Sequence, residues 1–221
     1  MKRIVLLVFF FFSQFTSAQI TMVLKDFDDV KVFDKLSVTL IASNETKAVI
    51  TGPEQAKVEI VNKKGLLKIR MPLTKMMTGD EAKITLYFKK IHTIDANEGS
   101  VVTCADTFKQ TSLTLNTQEG AKITVPVDVD KTIIKAVSGG IVTLTGKAVT
   151  QTVSVNSGGA VNAKELETSQ TTVSISAGGN ADVNATTLVD AKVSMGGTIF
   201  IYGNPKEIKQ DTVMGGSIIK K

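Results

Sequence analysis

The sequence predicts an all-β chain wound as a parallel β-solenoid, and three observations predict it. Glycine recurs every 18 to 21 residues from Gly99 to Gly215, the residues flanking each glycine fall into columns of one chemical kind, and apolar and small polar residues alternate on both sides of the glycines. Periodicity of this length is the mark of a repeat architecture. Alternation with period two is the mark of a half-buried strand.

The first 18 residues stand apart from that pattern. They begin with Lys2 and Arg3, continue as an unbroken apolar run from Ile4 to Phe12, and end on Ser17 and Ala18 before Gln19. This is the layout of a secretory signal peptide, with cleavage expected after Ala18. The run is far shorter than the roughly 20 apolar residues of a membrane-spanning helix, and no later stretch approaches that length. The expected mature chain is therefore exported, to the periplasm, the cell surface or the medium, with no transmembrane segment. Loss of Lys2 and Arg3 leaves 24 basic against 21 acidic residues, a net charge of +3. That is mildly basic and not the footprint of a nucleic-acid binder. The single cysteine, Cys104, lies far from the cleavage point, so neither a lipid anchor directly after the signal nor an intramolecular disulfide is expected.

Residues 19–221 are expected to form one β-solenoid domain. Its first part, 19–90, lacks the glycine marks but keeps strand patterning at Val38 and Leu40, Val58 and Ile60, Leu67, Ile69 and Met71, then Ile84, Leu86 and Phe88. Irregular first coils or a capping layer are expected here, because a solenoid end exposes unpaired strand edges. Asn62-Lys63-Lys64-Gly65 reads as a turn, and Met76 to Asp80 as the most mobile loop.

Residues 91–221 carry the repeats, marked by Gly99, Gly120, Gly139, Gly158, Gly178, Gly196 and Gly215, of which the last five are doubled. Five residues before the marks stand Ile94, Leu115, Ile134, Val153, Val173, Ala191 and Gln210, and three residues after them Val102, Ile123, Val142, Val161, Ala181, Ile199 and Ile218. Further columns run three before the marks, from Ala96 through Val155 to Thr212, and five after them, from Cys104 through Leu144 to Lys220. Each repeat thus reads as strand, glycine turn, strand and a less regular return, such as Lys164 to Thr171. Glycine suits a corner that requires positive φ. A hairpin meander is the competing reading, but it gives no reason for columns that repeat in kind at every mark. Coils stacked at about 4.8 Å make a rod of roughly 30 Å from these repeats. Its narrow interior suits a chain with no Trp and two Tyr. Cys104 falls in an inward column as a small buried hydrophobe. Lys220 and Lys221 put charge on the final coil, which discourages end-to-end stacking and points to a monomer.

The Asp26-Phe27-Asp28-Asp29-Val30 start, Val38-Thr39-Leu40, the Glu54 region, Gly65-Leu66-Leu67-Lys68-Ile69 and the doubled-glycine coils, above all Gly158-Gly159-Ala160-Val161-Asn162, together resemble the bacterial head-GIN-domain family. That family, DUF2807, is described as "putative auto-transporter adhesins", and the resemblance covers nearly all of the mature chain. It implies a right-handed, single-stranded parallel β-helix of the pectin-lyase-like type, export to the cell envelope, and no accepted catalytic residues. The sequence departs from the family where a glycine-rich turn is expected before Val38.

A pectin-lyase-like shape makes polysaccharide cleavage the enzyme reading to test, and such chemistry wants clustered carboxylates with a basic residue nearby. The outward columns pair Asp95 with Asn116, Asp182 with Asn162 and Phe200, and Asp211 with Lys192, so no stacked acidic pair is expected. His92 is the only histidine and sits beside Lys89 and Lys90, a surface setting. The Gly-Gly marks lack the Gly-x-Asp of calcium-binding solenoids and the Lys and Ser/Thr of a phosphate loop. No catalytic residue, cofactor or metal is therefore expected. Thr103, Thr124, Thr143 and Asn162 form an outward ladder expected to bond across coils.

The sequence favours a non-enzymatic envelope or surface module, an adhesin that presents a repetitive polar face to a glycan or a cell-surface protein. Candidate ligand-binding residues are Asn156, Ser174 and Lys192, with Phe200 as the exposed aromatic. The alternatives are a polysaccharide-active lyase or hydrolase with its site between Ile20 and Lys90, and a structural spacer without a ligand.

Overall fold

The computed structural model describes residues 19–221, and the signal peptide expected at residues 1–18 lies outside them. The described residues form a parallel β-helix of about seven turns, with 17 strands joined in one hydrogen-bonded sheet. The strands are β1 (Ile20–Val23), β2 (Asp29–Val32), β3 (Ser37–Ala42), β4 (Lys47–Thr51), β5 (Glu59–Lys63), β6 (Leu66–Arg70), β7 (Lys83–Phe88), β8 (Thr93–Ala96) and β9 (Val101–Cys104). The longer β10 (Phe108–Thr117), β11 (Lys122–Val137), β12 (Ile141–Asn156), β13 (Ala160–Ser176) and β14 (Asn180–Val193) follow, then β15 (Thr198–Tyr202), β16 (Glu207–Thr212) and β17 (Ser217–Lys220).

The sequence columns are the register of the stack. Leu115 pairs with Ile134, Ile134 with Val153, Val153 with Val173 and Val173 with Ala191, all in parallel ladders. After the corner, Ile123 pairs with Val142, Val142 with Val161, Val161 with Ala181 and Ala181 with Ile199. These side chains are buried in one continuous apolar column. In the last coil Gln210, Thr212 and Lys220 occupy the same columns but are exposed, and Lys220 Nζ donates to Asn204 Oδ1 at 3.0 Å. Cys104 is 6% exposed. Burial pushes its thiol up to about 11, so it stays protonated and inert at neutral pH.

The return segments are more regular than expected. β11 to β14 are unbroken from one corner to the next, and the differences in repeat length are absorbed as register shifts in β13 against its neighbours. The corner itself holds two consecutive residues at positive φ, Ser157 at 49° and Gly158 at 75° being representative. The second glycine of the pair has another purpose. A Cβ on Gly158 would meet nothing within 4 Å, whereas one on Gly159 would lie 2.3 Å from the Ala136 carbonyl oxygen of the preceding coil. Gly159 is therefore needed for close approach of backbones and Gly158 for its conformation.

The amino-terminal layers stack out of sequence order. β2 lies between β6 and β8, and β3 lies between β7 and β9, all parallel. The chain makes the β2–β3 coil, lays β6 and β7 on its outer side, and then passes back to build β8 and β9 on its inner side. Antiparallel strands complete this end: β4 pairs with β7, β1 with β4 and β5 with β6. The turn expected at Asn62 to Gly65 joins β5 to β6, with Lys64 and Gly65 both at positive φ.

Where the glycine-rich turn before Val38 is missing, Asp34 and Lys35 take the left-handed conformation instead, at φ 59° and 61°. Asp34 is 3% exposed. Its carboxylate accepts the Met71 N–H at 2.9 Å and the Met77 N–H at 3.0 Å, and its carbonyl accepts the Gly79 N–H at 3.0 Å. The segment from Met76 to Asp80, expected as the most mobile loop, is thereby tied to the β2–β3 corner.

Candidate functional site

The outward side chains of the arm before each glycine corner line up across the whole stack. One ladder runs Lys68, Lys31, Asp95, Asn116, Lys135, Ser154, Ser174, Lys192, Asp211. Beside it, Val137 pairs with Asn156 and Asn156 with Ser176. The structure thus brings three sequence-predicted residues, Asn156, Ser174 and Lys192, onto one face formed by β12, β13 and β14. Regular parallel registers position them, so successive side chains stand about one strand spacing apart.

Part of this face is satisfied by the protein itself. Lys192 Nζ lies 2.6 Å from Asp211 Oδ2, and that hydrogen bond holds the Lys192 ammonium above its ordinary value. Ser174 Oγ donates to the Val153 carbonyl at 3.4 Å, and Asn156 Oδ1 accepts from the Ser157 hydroxyl at 3.1 Å. Towards the amino end, Lys31 and Asp95 form a second ion pair at 2.8 Å. Asn97, 2% exposed, donates to the Asp95 carbonyl and carboxylate and receives the Gln118 amide. Between the pairs at 2.8 and 2.6 Å stand Asn116, Lys135, Ser154 and Ser174, so short polar groups share the face with one ammonium, Lys135, that is in no ion pair among the described residues.

Phe200 is not part of this face. It lies on β15 beyond the corner, in the ladder that contains Asn162 and Asp182, and it is half-buried with Lys221 Nζ 4.9 Å from its ring centroid. The same ladder continues through Thr143, Thr124 and Thr103 to Thr39 and Thr85, whose coils come from the out-of-order layers. Its single side-chain bond across coils among the described residues is Asn162 Nδ2 to Thr143 Oγ1, at 3.4 Å. Burial raises the Asp182 carboxyl, against the opposing charges of Lys164 and Lys221.

His92 is exposed. Among the described residues no group of three or more His, Cys, Asp or Glu side chains is arranged to hold a metal ion, and no helix is long and apolar enough to cross a membrane.

A further ladder was hidden from the sequence. On the return segments Lys109 pairs with Asp128, Asp128 with Lys147 and Lys147 with Glu167. These residues stand ten, eight, eight and nine places after their glycine marks, so an alignment on glycine puts only Asp128 and Lys147 in one column. The remaining signal was the alternation of sign at intervals of 19, 19 and 20 residues. Inside the same turns Thr132, Gln151 and Thr171 are stacked in register and buried. Thr171 Oγ1 donates to Gln151 Oε1 at 3.3 Å, whereas Thr132 Oγ1 and Gln151 Nε2 have no partner.

Solved structures share this architecture. A "putative adhesin" from Bacteroides fragilis superposes with a TM-score of 0.85 at 19% identity, covering 92% of this chain and 96% of its own. One from Parabacteroides distasonis gives 0.77 at 21% identity over 92% and 96%. A second Parabacteroides distasonis protein, described as a "putative lipid binding protein", gives 0.68 at 16% over the same shares. At these identities the likeness establishes the fold. No curated protein matches the chain. The family model described as "putative auto-transporter adhesin, head GIN domain" matches residues 26–205, and the chain belongs to that family, DUF2807.

Proposed function

We propose that the protein is an exported, monomeric, non-enzymatic module of the cell envelope or surface, and that it holds a glycan or a partner protein on the polar face of β12, β13 and β14. The observation that carries this reading is the in-register display of Ser154, Asn156, Ser174, Ser176 and Lys192 from consecutive coils. A rigid ladder of short polar groups needs little side-chain ordering when it meets a partner, and preorganisation of this kind favours binding. Membership of a family named for adhesins agrees with it; family names alone carry no mechanism.

The test is a screen of the purified protein against a glycan array and envelope fractions, with release of sugar products followed in parallel. Saturable binding without product, weakened by Asn156→Ala, Ser174→Ala and Lys192→Ala at unchanged melting temperature, is the expected result. The Lys192–Asp211 pair is exposed, and solvent screening leaves such pairs little weight in stability, so its loss leaves the fold intact. Product release from acidic or neutral polysaccharides would identify an enzyme instead. Silence in both assays would leave a spacer.

A further inference from the structure

A cleft of about 380 Å³ opens where the amino-terminal layers meet the first return segment. It lies on different segments from Asn156, Ser174 and Lys192, and the inference drawn from it stands independently of the polar face. Ala42 and Phe88, at the ends of β3 and β7, form one side, and Asp106 to Gln110 form the other. The floor is rigid: the Phe88 and Phe108 rings stack at 5.3 Å and 15°, and both residues are buried.

The charges around this cleft do not balance. Lys89, Lys90 and Lys109 line it against a single carboxylate, Asp106. Lys89 is paired with Asp26 at 3.0 Å, and Asp106 Oδ2 accepts the Ala42 N–H at 3.1 Å. Lys90 and Lys109 are exposed and, among the described residues, belong to no ion pair. Farther along the return face the alternating ladder neutralises itself, with Lys147 4.0 Å from Glu167. The cleft, by contrast, keeps two cations that are in no ion pair among the described residues.

The cleft also offers hydrogen-bonding groups for an uncharged body. Gln110 Nε2 donates to the Ile91 carbonyl at 2.9 Å and the Ser112 carbonyl at 2.6 Å. These bonds fix the amide and leave its Oε1 without a protein donor among the described residues. The Thr107 hydroxyl, also at the rim, is exposed and makes no side-chain bond there. Two cations beside an oriented acceptor and a hydroxyl match a ligand with one anionic group and several hydroxyls. The volume, near the lower end of the range for small-molecule sites, suits one or two sugar rings.

We propose that this cleft binds an acidic sugar unit, its carboxylate met by Lys90 and Lys109 and its hydroxyls by Gln110 and Thr107. The test is calorimetric titration of the purified protein with glucuronate, with glucose as the neutral counterpart and inorganic phosphate as the bare anion. Glucuronate is expected to bind saturably, at least about ten-fold more tightly than either control and more weakly at high salt. The double charge reversal Lys90→Glu/Lys109→Glu is expected to abolish binding at an unchanged melting temperature, whereas Lys135→Glu, on the other arm, leaves it intact. Absence of binding, equal binding of glucose, phosphate binding as tight as glucuronate, or survival of binding in the double variant would each overturn the proposal. Asn156→Ala and Lys192→Ala leave glucuronate binding unchanged, which separates the fate of this cleft from that of the polar face.

Discussion

The glycine-marked coils and the amino-terminal layers build the same kind of corner from different materials. In the repeats a corner is a left-handed pair that includes glycine, followed in the last five by a second glycine where the backbones approach, and each coil meets the next one about 19 or 20 residues later. In the β2–β3 coil the left-handed pair is Asp34 and Lys35, and a buried carboxylate bonds to chain 37 and 43 residues away. The neighbours of β2 in the stack are β6 and β8, both later in sequence. The first mode is nearly one-dimensional and is held by local backbone geometry. The second is non-local and depends on one side chain.

The largest effect is therefore expected at Asp34. Asp34→Ala removes the acceptor for two backbone N–H groups in the interior, and bonds to charged groups are worth about 1.5–3 kcal/mol each. A loss of about 3–4 kcal/mol is expected in denaturant titration. Hydrogen exchange should quicken in β6 and β7 while β12 and β13 stay protected. Uniform loss of protection would show that the two regions unfold as one unit and would break the distinction drawn here.

Gly159→Ala and Gly158→Ala come next and separate crowding from conformation. The first drives a methyl into the Ala136 carbonyl and is expected to cost about 2–3 kcal/mol. The second strains only φ, for about 1 kcal/mol. Equal costs would mean that the corner has room to relax.

Thr132→Val tests the interior of the repeats. Its hydroxyl is fully buried without a partner, so replacing it by a methyl of nearly the same volume is expected to stabilise the fold by about 1 kcal/mol. Destabilisation would point to an internal water bonded to that hydroxyl and to Gln151 Nε2.

The smallest effect is a pH dependence at the junction of the two regions. Burial, and then the neighbouring Asp34 charge, raise the Glu98 carboxyl above its ordinary value of 4.5. A carboxyl whose folded value lies above its unfolded one contributes stability below the unfolded value, and that contribution is lost as pH rises through the folded value. Glu98→Gln is thus expected to raise the melting temperature slightly at pH 7, with the gain vanishing once the pH falls below about 4.5. A gain that persists at pH 3 would have another cause.

The repeats were legible because each coil obeys the same two local rules, alternation along the strand and glycine at the corner, and stacking converts those rules directly into register. The columns from Ile94 to Ala191 and from Val102 to Ile199 were read from the chain alone and are the ladders of the fold. The Lys109–Asp128–Lys147–Glu167 ladder was not legible, because return segments of unequal length shift its members against the glycine marks. Of the candidate residues, Asn156, Ser174 and Lys192 share a face as their columns imply, whereas Phe200 lies past the corner on another.

By itself the sequence determined the solenoid, its inward columns and its glycine corners, since these depend on side-chain periodicity and on conformations confined to a few neighbouring residues. Only the tertiary structure decided that β2 and β3 are inserted between later strands, that Asp34 replaces a glycine corner, and that Lys90 and Lys109 line one cleft with Phe88 and Phe108. Each of these depends on which distant segments come into contact, and that is set by the docking of whole layers, which leaves no periodic trace in the chain.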